Sequence, residues 1–365
     1  MKTKLLLLFL ITSLFSQAQV SDFINGLNQP NRLIIDNNII YVKGVAAPGE
    51  IIQIDLNAPS PSANVLFNSL PSSTDPIGIG NITKQGNIIY LSYVNDNTGE
   101  STLASFDINN PTVLNDIVSG LGFVPALDLY NGELYFTDED LSGGGISLKK
   151  IDISVSNPPV NTIVSGLTNP QDMEFNGSTL YIGDRDAGSG TGIIYFVDVS
   201  LSTPALNSFI TNTNVRGVYV YNDFLYFSES GVIKKAPFSN PTNITTEVID
   251  TGGSTDFLRD IVISGTNLYM PQENFGKIVT KEDLTLSTND FNNQLSDVSI
   301  YNNKNDININ GLNNQNHNIK IYSLTGSEIL SRSMNSNDNS IDISQISNGI
   351  YLLNIDNKQT FKFAK

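Results

Sequence analysis

The chain has 365 residues, a net charge of −16, a single histidine, and neither cysteine nor tryptophan. Without cysteine, disulfides, thiolate metal sites and a lipid anchor on cysteine are excluded. The negative charge argues against nucleic acid and anionic membrane as partners, since both would be repelled.

Residues 1–18 read as a signal peptide. Lys2 and Lys4 form a basic start, Leu5 to Phe15 an apolar run, and Ser16-Gln17-Ala18 a small-x-small cleavage site. The run is shorter than the roughly 20 residues a membrane helix needs. No later segment reaches that length, so no transmembrane segment is expected.

Residues 19–283 read as a repeat. A short apolar strand ending in tyrosine recurs at Tyr41, Tyr90, Tyr135, Tyr181, Tyr226 and Tyr269, with spacings of 49, 45, 46, 45 and 43 residues. That period fits one four-stranded blade of a β-propeller. An alternating strand precedes five of the tyrosines, as in Leu33-Ile-Ile35 and Met173-Glu-Phe175, and a tight turn such as Asn131-Gly132 or Asn176-Gly177 joins the two. A third strand closes on Asp55, Asp107, Asp152 and Asp198, and proline turns are expected after the third strands at Pro59, Pro111, Pro158, Pro204 and Pro241. The tyrosines themselves are expected to pack in the core.

A fourth strand occurs six times, and its first copy, Asp22-Phe23-Ile24-Asn25, opens the mature chain, while none follows the last repeat. A closed ring would let the first copy complete the last repeat and would remove exposed sheet edges. The expected fold class is therefore all-β: a six-bladed propeller closed by its N-terminal strand, plus a small C-terminal β-sandwich. The blade pattern resembles the NHL, YWTD and gluconolactonase superfamilies, with Tyr135-Phe-Thr-Asp138 and Tyr181-Ile-Gly-Asp184 close to the YWTD strand. That resemblance fixes a blade type and not a function.

Residues 284–296 are rich in Thr, Asn and Ser and read as a linker. Residues 297–365 carry Ile319-Lys-Ile-Tyr-Ser-Leu-Thr-Gly326, then Ile341-Asp-Ile-Ser-Gln-Ile-Ser-Asn-Gly-Ile-Tyr-Leu-Leu-Asn-Ile355, and end on Lys365. The order of these segments resembles the C-terminal sorting domain of the type IX secretion system of Bacteroidota. One departure is Asn302-Asn303-Lys304, where the family usually has Pro-Asn-Pro. The resemblance implies the type IX machinery as partner, passage through the periplasm and outer membrane, and release or attachment at the surface. Tail strands are expected at 305–310, 319–323, 350–355 and 361–363. The tail's six basic and six acidic residues balance; removing them and the two signal lysines from 20 basic and 36 acidic residues leaves 12 and 30, a net of −18 on the body.

The lone histidine, His317, lies in the tail. Serine–histidine and cysteine–histidine nucleophiles are thus unavailable to the body, as are histidine metal sites. The expected binding face carries Arg32, Asp172, Arg216, Arg259, Asp260, Glu229 and Asn274, with Asp75 nearby; Arg216 and Arg259 are candidate ion-pair partners of Asp172 and Asp260. Asp138/Asp140 and Asp184/Asp186 are D-x-D pairs on glycine-bearing loops. They suit either Ca²⁺ ligands or turn carboxylates that cap strands. The resulting expectation is an exported, monomeric propeller that binds an unidentified extracellular ligand. The alternative is a metal-dependent hydrolase of the gluconolactonase kind, with Asp172, Asp260, Glu229 and Asn274 as candidate donors.

Overall fold

The computed structural model describes residues 20–282 and 299–365, apart from 45–48, 69, 71–77, 96–97, 142, 186–190, 230, 250–257, 303–304, 313–315, 324–326 and 357–358. The expected signal peptide, the linker, Asp75, Asp186 and most of the Asn302-Asn303-Lys304 turn lie outside the described residues. The chain divides into two compact units that meet between Glu282 and Asp283.

Among the described residues the first unit contains six four-stranded antiparallel sheets. Five are formed by consecutive strands. The first has Pro30–Asp36, Ile39–Gly44, Ile51–Asp55 and Asn64–Phe67; the fourth has Pro170–Asn176, Thr179–Asp184, Ile193–Asp198 and Asn207–Thr211. The sixth joins Val262–Ser264, Asn267–Gln272 and Lys277–Glu282 to Ser21–Asn25 from the other end of the unit.

Two-residue hairpins link the first and second strands of every sheet, because Asn and Gly tolerate the left-handed backbone such turns require. Asn37 and Asn38 have φ of 50° and 61°, and Asn131 and Gly132 have 50° and 78°. Asn176 is the last residue of its strand, so that turn is centred on Gly177 and Ser178. Pro111 follows the third strand Glu100–Asp107 but is not in the turn. It lies within Asn110–Leu121, an edge strand whose pairing skips from Asn110 to Asn115. An edge strand tolerates the missing N–H at such a bulge.

The second strands are buried along almost their whole length, as in Ile39–Gly44 and Thr179–Asp184, and apolar side chains fill the gaps between successive sheets. Tyr41, Ile51 and Phe67 of the first sheet pack with Ile82, Leu91 and Phe106 of the second. Tyr181 and Ile194 of the fourth pack with Val218 and Phe227 of the fifth. Val262, Tyr269 and Ile278 of the sixth share a cluster with Leu33, Ile40 and Ile54 of the first. Five of the repeated tyrosines are buried and Tyr90 is half-buried against the same cores.

The second unit is two sheets over one core. Ser299–Asn302, Asp306–Asn310 and Ser340–Asp342 form one sheet; His317–Ser323, Glu328–Met334, Ile350–Ile355 and Gln359–Ala364 form the other. Ile307, Ile309, Ile319, Ile321, Leu353 and Phe363 fill the space between them. Strands at 299–302, 328–334 and 340–342 were not expected, since two are short and Glu328–Met334 is mostly exposed and lacks a clean alternation. His317 is structural: its Nδ1 meets Asp356 Oδ2 at 2.6 Å. Lys365 is tied into the sheet through backbone bonds to Gly349.

Candidate functional site

Four of the six first strands begin with a shared irregularity. In the first, second, fourth and fifth sheets the pairing with the second strand gains one extra residue at this point. Such a bulge turns two successive side chains toward one side. The outer of these positions is Asn31, Gly80, Pro125, Gln171, Arg216 and Arg259. The inner is Arg32, Asn81, Ala126, Asp172, Gly217 and Asp260. A cavity of about 40 Å³ is lined by all six outer residues and by Arg32, Asn81, Asp172 and Asp260 of the inner set.

Side chains at these positions bridge one sheet to the next. Asn81 Nδ2 donates to Pro125 O at 2.9 Å. Asp172 Oδ2 accepts from Val218 N at 2.9 Å, and Asp260 Oδ2 from Leu33 N at 2.7 Å. Where the inner residue is Ala126 or Gly217, another group takes over: Asp128 Oδ2 accepts from Phe175 N at 3.0 Å, and Ser228 Oγ donates to Arg259 O at 2.9 Å. Gly217 has no room for a side chain, since a Cβ would sit 2.6 Å from Arg259 O.

Arg32 is the exception in its column and closes the bottom of the cavity. Its guanidinium binds Asp172, lies 3.3 Å from both oxygens of Asp260, and approaches Glu174 at 3.7 Å. Arg32, Asp172 and Asp260 are almost fully buried. Burial opposes the guanidinium charge, but Asp172, Asp260, Glu174 and Asp128 together outweigh it and raise the Arg32 pKa. One cation among several buried carboxylates cannot neutralise them all. Burial therefore pushes Asp172 up to about 7, with Arg32 opposing and Asp260 adding to the rise. Burial also raises Glu174, Asp128 and Asp260 above the usual carboxylate range.

This arrangement makes stability depend on pH with a definite sign. A carboxyl raised in the fold holds a proton that the unfolded chain, with an ordinary value of 3.8, has released. Its stabilisation is complete below about pH 4 and is lost as pH rises through about 7. Each unit in that window is worth up to about 1.4 kcal/mol per proton. The melting temperature should thus be higher at pH 5.5 than at pH 8, and Asp172→Asn should flatten the slope. A melting temperature that rises over this interval, or a slope unchanged in Asp172→Asn, contradicts the assignment.

Beyond Arg32 a second cavity, of about 280 Å³, is lined by Ile34, Thr83, Asp128, Glu174 and Tyr219 among others. On the near side the mouth is cationic. Arg216 and Arg259 line it, and Arg259 pairs with Glu273, whose Oε2 also accepts from Asn31 Nδ2 at 3.0 Å. Lys43 is buried beside Asn31, and burial pulls its ammonium down to about 8 against the pull of Glu273. Burial lowers Arg216 to about 10, with repulsion from Arg259 and Arg185 adding.

Asp172 and Asp260 share Arg32, which was not among their expected partners and reaches them from 140 and 228 residues away. The remaining carboxylates on this face have a repeated structural use. Asp138, Asp184 and Glu229 each stand three residues after a repeated tyrosine. Each accepts the N–H of the incoming loop: Gly122 N at 2.7 Å, Thr168 N at 2.9 Å and Asn214 N at 2.9 Å. Asp138 is further paired with Lys149, and Glu229 with Lys234, both at 2.6 Å. Asp140 is exposed on the neighbouring loop. Asn274 lies in the short 3₁₀ turn Glu273–Phe275. No group of three or more acidic or histidine side chains suited to a metal ion occurs among the described residues.

Sequence reading missed Asn31, Lys43 and Gln171, and placed Arg185 and Glu273 on this face only as members of the loops 184–190 and 272–276. Aligning the repeats on their tyrosines would have put Asn31 and Gln171 in one column with Arg216 and Arg259; nothing local marks Lys43.

Residues 299–365 match the family described as the secretion system C-terminal sorting domain. The chain is accordingly exported by type IX secretion to the cell surface or beyond, and its tail is recognised by that machinery. Among the described residues no helix is long and apolar enough to cross a membrane. No curated protein sequence matches the chain. Solved structures share its fold at low identity. An auxiliary nutrient binding protein from Bacteroides thetaiotaomicron is 13% identical with a TM-score of 0.55, over 72% of this chain and 75% of that one. A luciferin-regenerating enzyme is 12% identical with a TM-score of 0.53, over 73% and 96%. These likenesses are of fold alone.

Proposed function

We propose that this exported chain is a six-bladed β-propeller that binds an extracellular ligand at the mouth of its central cavity. One observation carries the reading: a single cavity is lined by the residue ten positions before the tyrosine in each of the six repeats. That is expected where six sheets surround one axis and Ser21–Asn25 completes the sixth. Mouths of such folds are the ordinary place for ligands, because loops and strand ends converge there. The hydrolase alternative has less behind it. Asp172 and Asp260 are engaged with Arg32 and backbone N–H groups, and Glu229 with Lys234 and Asn214. A hydrolytic metal needs such oxygens and an open coordination position.

The mature protein should be screened by thermal shift against extracellular saccharides, peptides and organic acids, beside Gln171→Trp, which fills the mouth. A ligand that raises the wild-type melting temperature but not that of the filled variant supports the reading. Ligands that stabilise both proteins equally place binding elsewhere. Turnover of lactones by wild type, abolished by chelation, would favour the hydrolase.

A further inference from the structure

We infer that the cavity beyond Arg32 is a second binding site, for a primary ammonium group carried on a short aliphatic stem. This site is separate from the mouth and needs no ligand there. Ile34, Thr83, Asp128, Glu174 and Tyr219 line the cavity, and each stands seven residues before a repeated tyrosine. Five successive first strands thus turn the same position toward one space of about 280 Å³, many times the room a water needs. The wall is mixed: Ile34 and Ile35 are apolar, Tyr219 adds an aromatic ring, and Glu174 adds a carboxyl.

Glu174 is the charged wall group without an anchor. Asp128 has three: Thr83 Oγ1 donates to it at 3.0 Å, Leu129 N at 2.8 Å and Phe175 N at 3.0 Å. Lys84 pairs with Asp36 at 2.5 Å and donates to Gly86 O. Among the described residues the Glu174 carboxyl accepts no hydrogen bond, and its pair with Arg32 is loose, at 3.7 Å. Arg32 is drawn instead toward Asp172 and Asp260. Once the Lys84–Asp36 pair is set aside, one guanidinium faces four carboxyls: Asp172, Asp260, Glu174 and Asp128. All twelve Lys and Arg of residues 20–298 lie among the described residues, and only Arg32 and Lys84 line this cavity. Protons can meet the deficit, and burial, with Asp128 adding, raises Glu174 well above the usual range. An ammonium would meet it better. It brings three N–H donors to Glu174, the Tyr219 ring offers a face to its charge, and Ile34 and Ile35 suit its stem. A bare metal ion fits less well, because no set of three acidic or histidine side chains suited to one occurs among the described residues.

The test uses the full mature protein. Butylamine, 1,4-diaminobutane, neutral 1-butanol and calcium chloride are titrated at millimolar concentrations, at constant ionic strength set with sodium chloride, at pH 5.5 and pH 8. We expect the amines, but neither butanol nor calcium, to raise the melting temperature. The rise should be larger at pH 8, because at pH 5.5 the amine must displace protons held by Glu174 and by Asp128, Asp172 and Asp260 around it. Affinity then changes by at most about tenfold per pH unit for each proton displaced. Arg32 and the Lys84–Asp36 pair also face the cavity, and burial keeps the Tyr219 phenol neutral over this interval. Glu174→Gln keeps the shape and removes the charge, and should weaken amine binding about tenfold or more. Ile34→Phe keeps every charge but narrows the cavity, and should weaken binding too. Glu282→Gln removes the same charge from an exposed strand end and should change nothing. The inference is overturned by no shift with either amine, by an equal shift with butanol or calcium, or by a rise no larger at pH 8. Binding kept intact by Glu174→Gln or by Ile34→Phe, or lost equally in Glu282→Gln, overturns it as well.

Discussion

Removing residues 299–365 is expected to abolish appearance of the protein at the cell surface and in the medium while leaving the body folded. The sorting domain lies wholly in this stretch. It also has its own core, built from residues such as Ile307, Ile321 and Phe363, whereas the clusters of the first unit contain only body residues. Truncation therefore removes the address without opening a body core. Fractionation with an antibody against the body should find the truncated protein in the periplasm, and limited proteolysis of that fraction should show a compact body. A reporter carrying residues 299–365 should make the reverse journey. Surface display of the truncated protein would overturn the assignment of export to the tail; a degraded body would show that the units depend on one another.

Deleting residues 21–27 should have the largest effect on stability. Ser21–Asn25 supplies the fourth strand of the sixth sheet, pairing from Ser21 with Thr280 to Asn25 with Lys277. Leu27 N extends the pairing to Gly276 O at 2.7 Å. Ile24 and Leu27 are buried in the cluster shared by the first and sixth sheets. Phe23 meets Tyr269 edge-on at 4.9 Å. Burial of two aliphatic side chains is worth roughly 3–6 kcal/mol, a large part of the 5–15 kcal/mol that holds a typical domain together. For a unit of this size the melting temperature should fall by roughly 6–24 °C, and the uncovered strand Lys277–Glu282 should promote association. Asp22→Asn, which breaks only the exposed pair with Lys277, should cost far less. Equal melting of wild type and deletion would mean that the strand is not a structural closure.

These two expectations draw on features of different legibility. The strands, the hairpins and the sorting tail were readable because their causes are local. Alternation has a period of two, Asn and Gly mark the tight turns, and the tyrosine returns every 43 to 49 residues. Even the pairing of Ser21–Asn25 with the last sheet followed from sequence, because a spare strand at the start of the repeats matches a missing one at their end. The short or exposed tail strands escaped because they lack that periodic signal.

The site was legible only in part. Arg32, Asp172, Arg216, Arg259 and Asp260 were recognisable as residues at the start of first strands, and the structure brings all five to one cavity. Their partners were not recognisable. Arg32 meets Asp172 and Asp260 across 140 and 228 residues, and no spacing rule encodes a contact between sheets so far apart. Asp138 and Asp184 suited either Ca²⁺ ligands or strand-capping turn carboxylates in sequence. In the fold each carboxylate accepts the N–H of an incoming loop, and which loop it meets is decided only once the loop and the strand end are adjacent. Composition, periodicity and turn chemistry therefore determined the all-β repeat by themselves, while the export signal followed from the resemblance of the tail's motifs to a known family. Tertiary structure decided which charges face one another, because burial and distance, rather than residue type, set the balance between an ion pair, a cap and a cationic mouth.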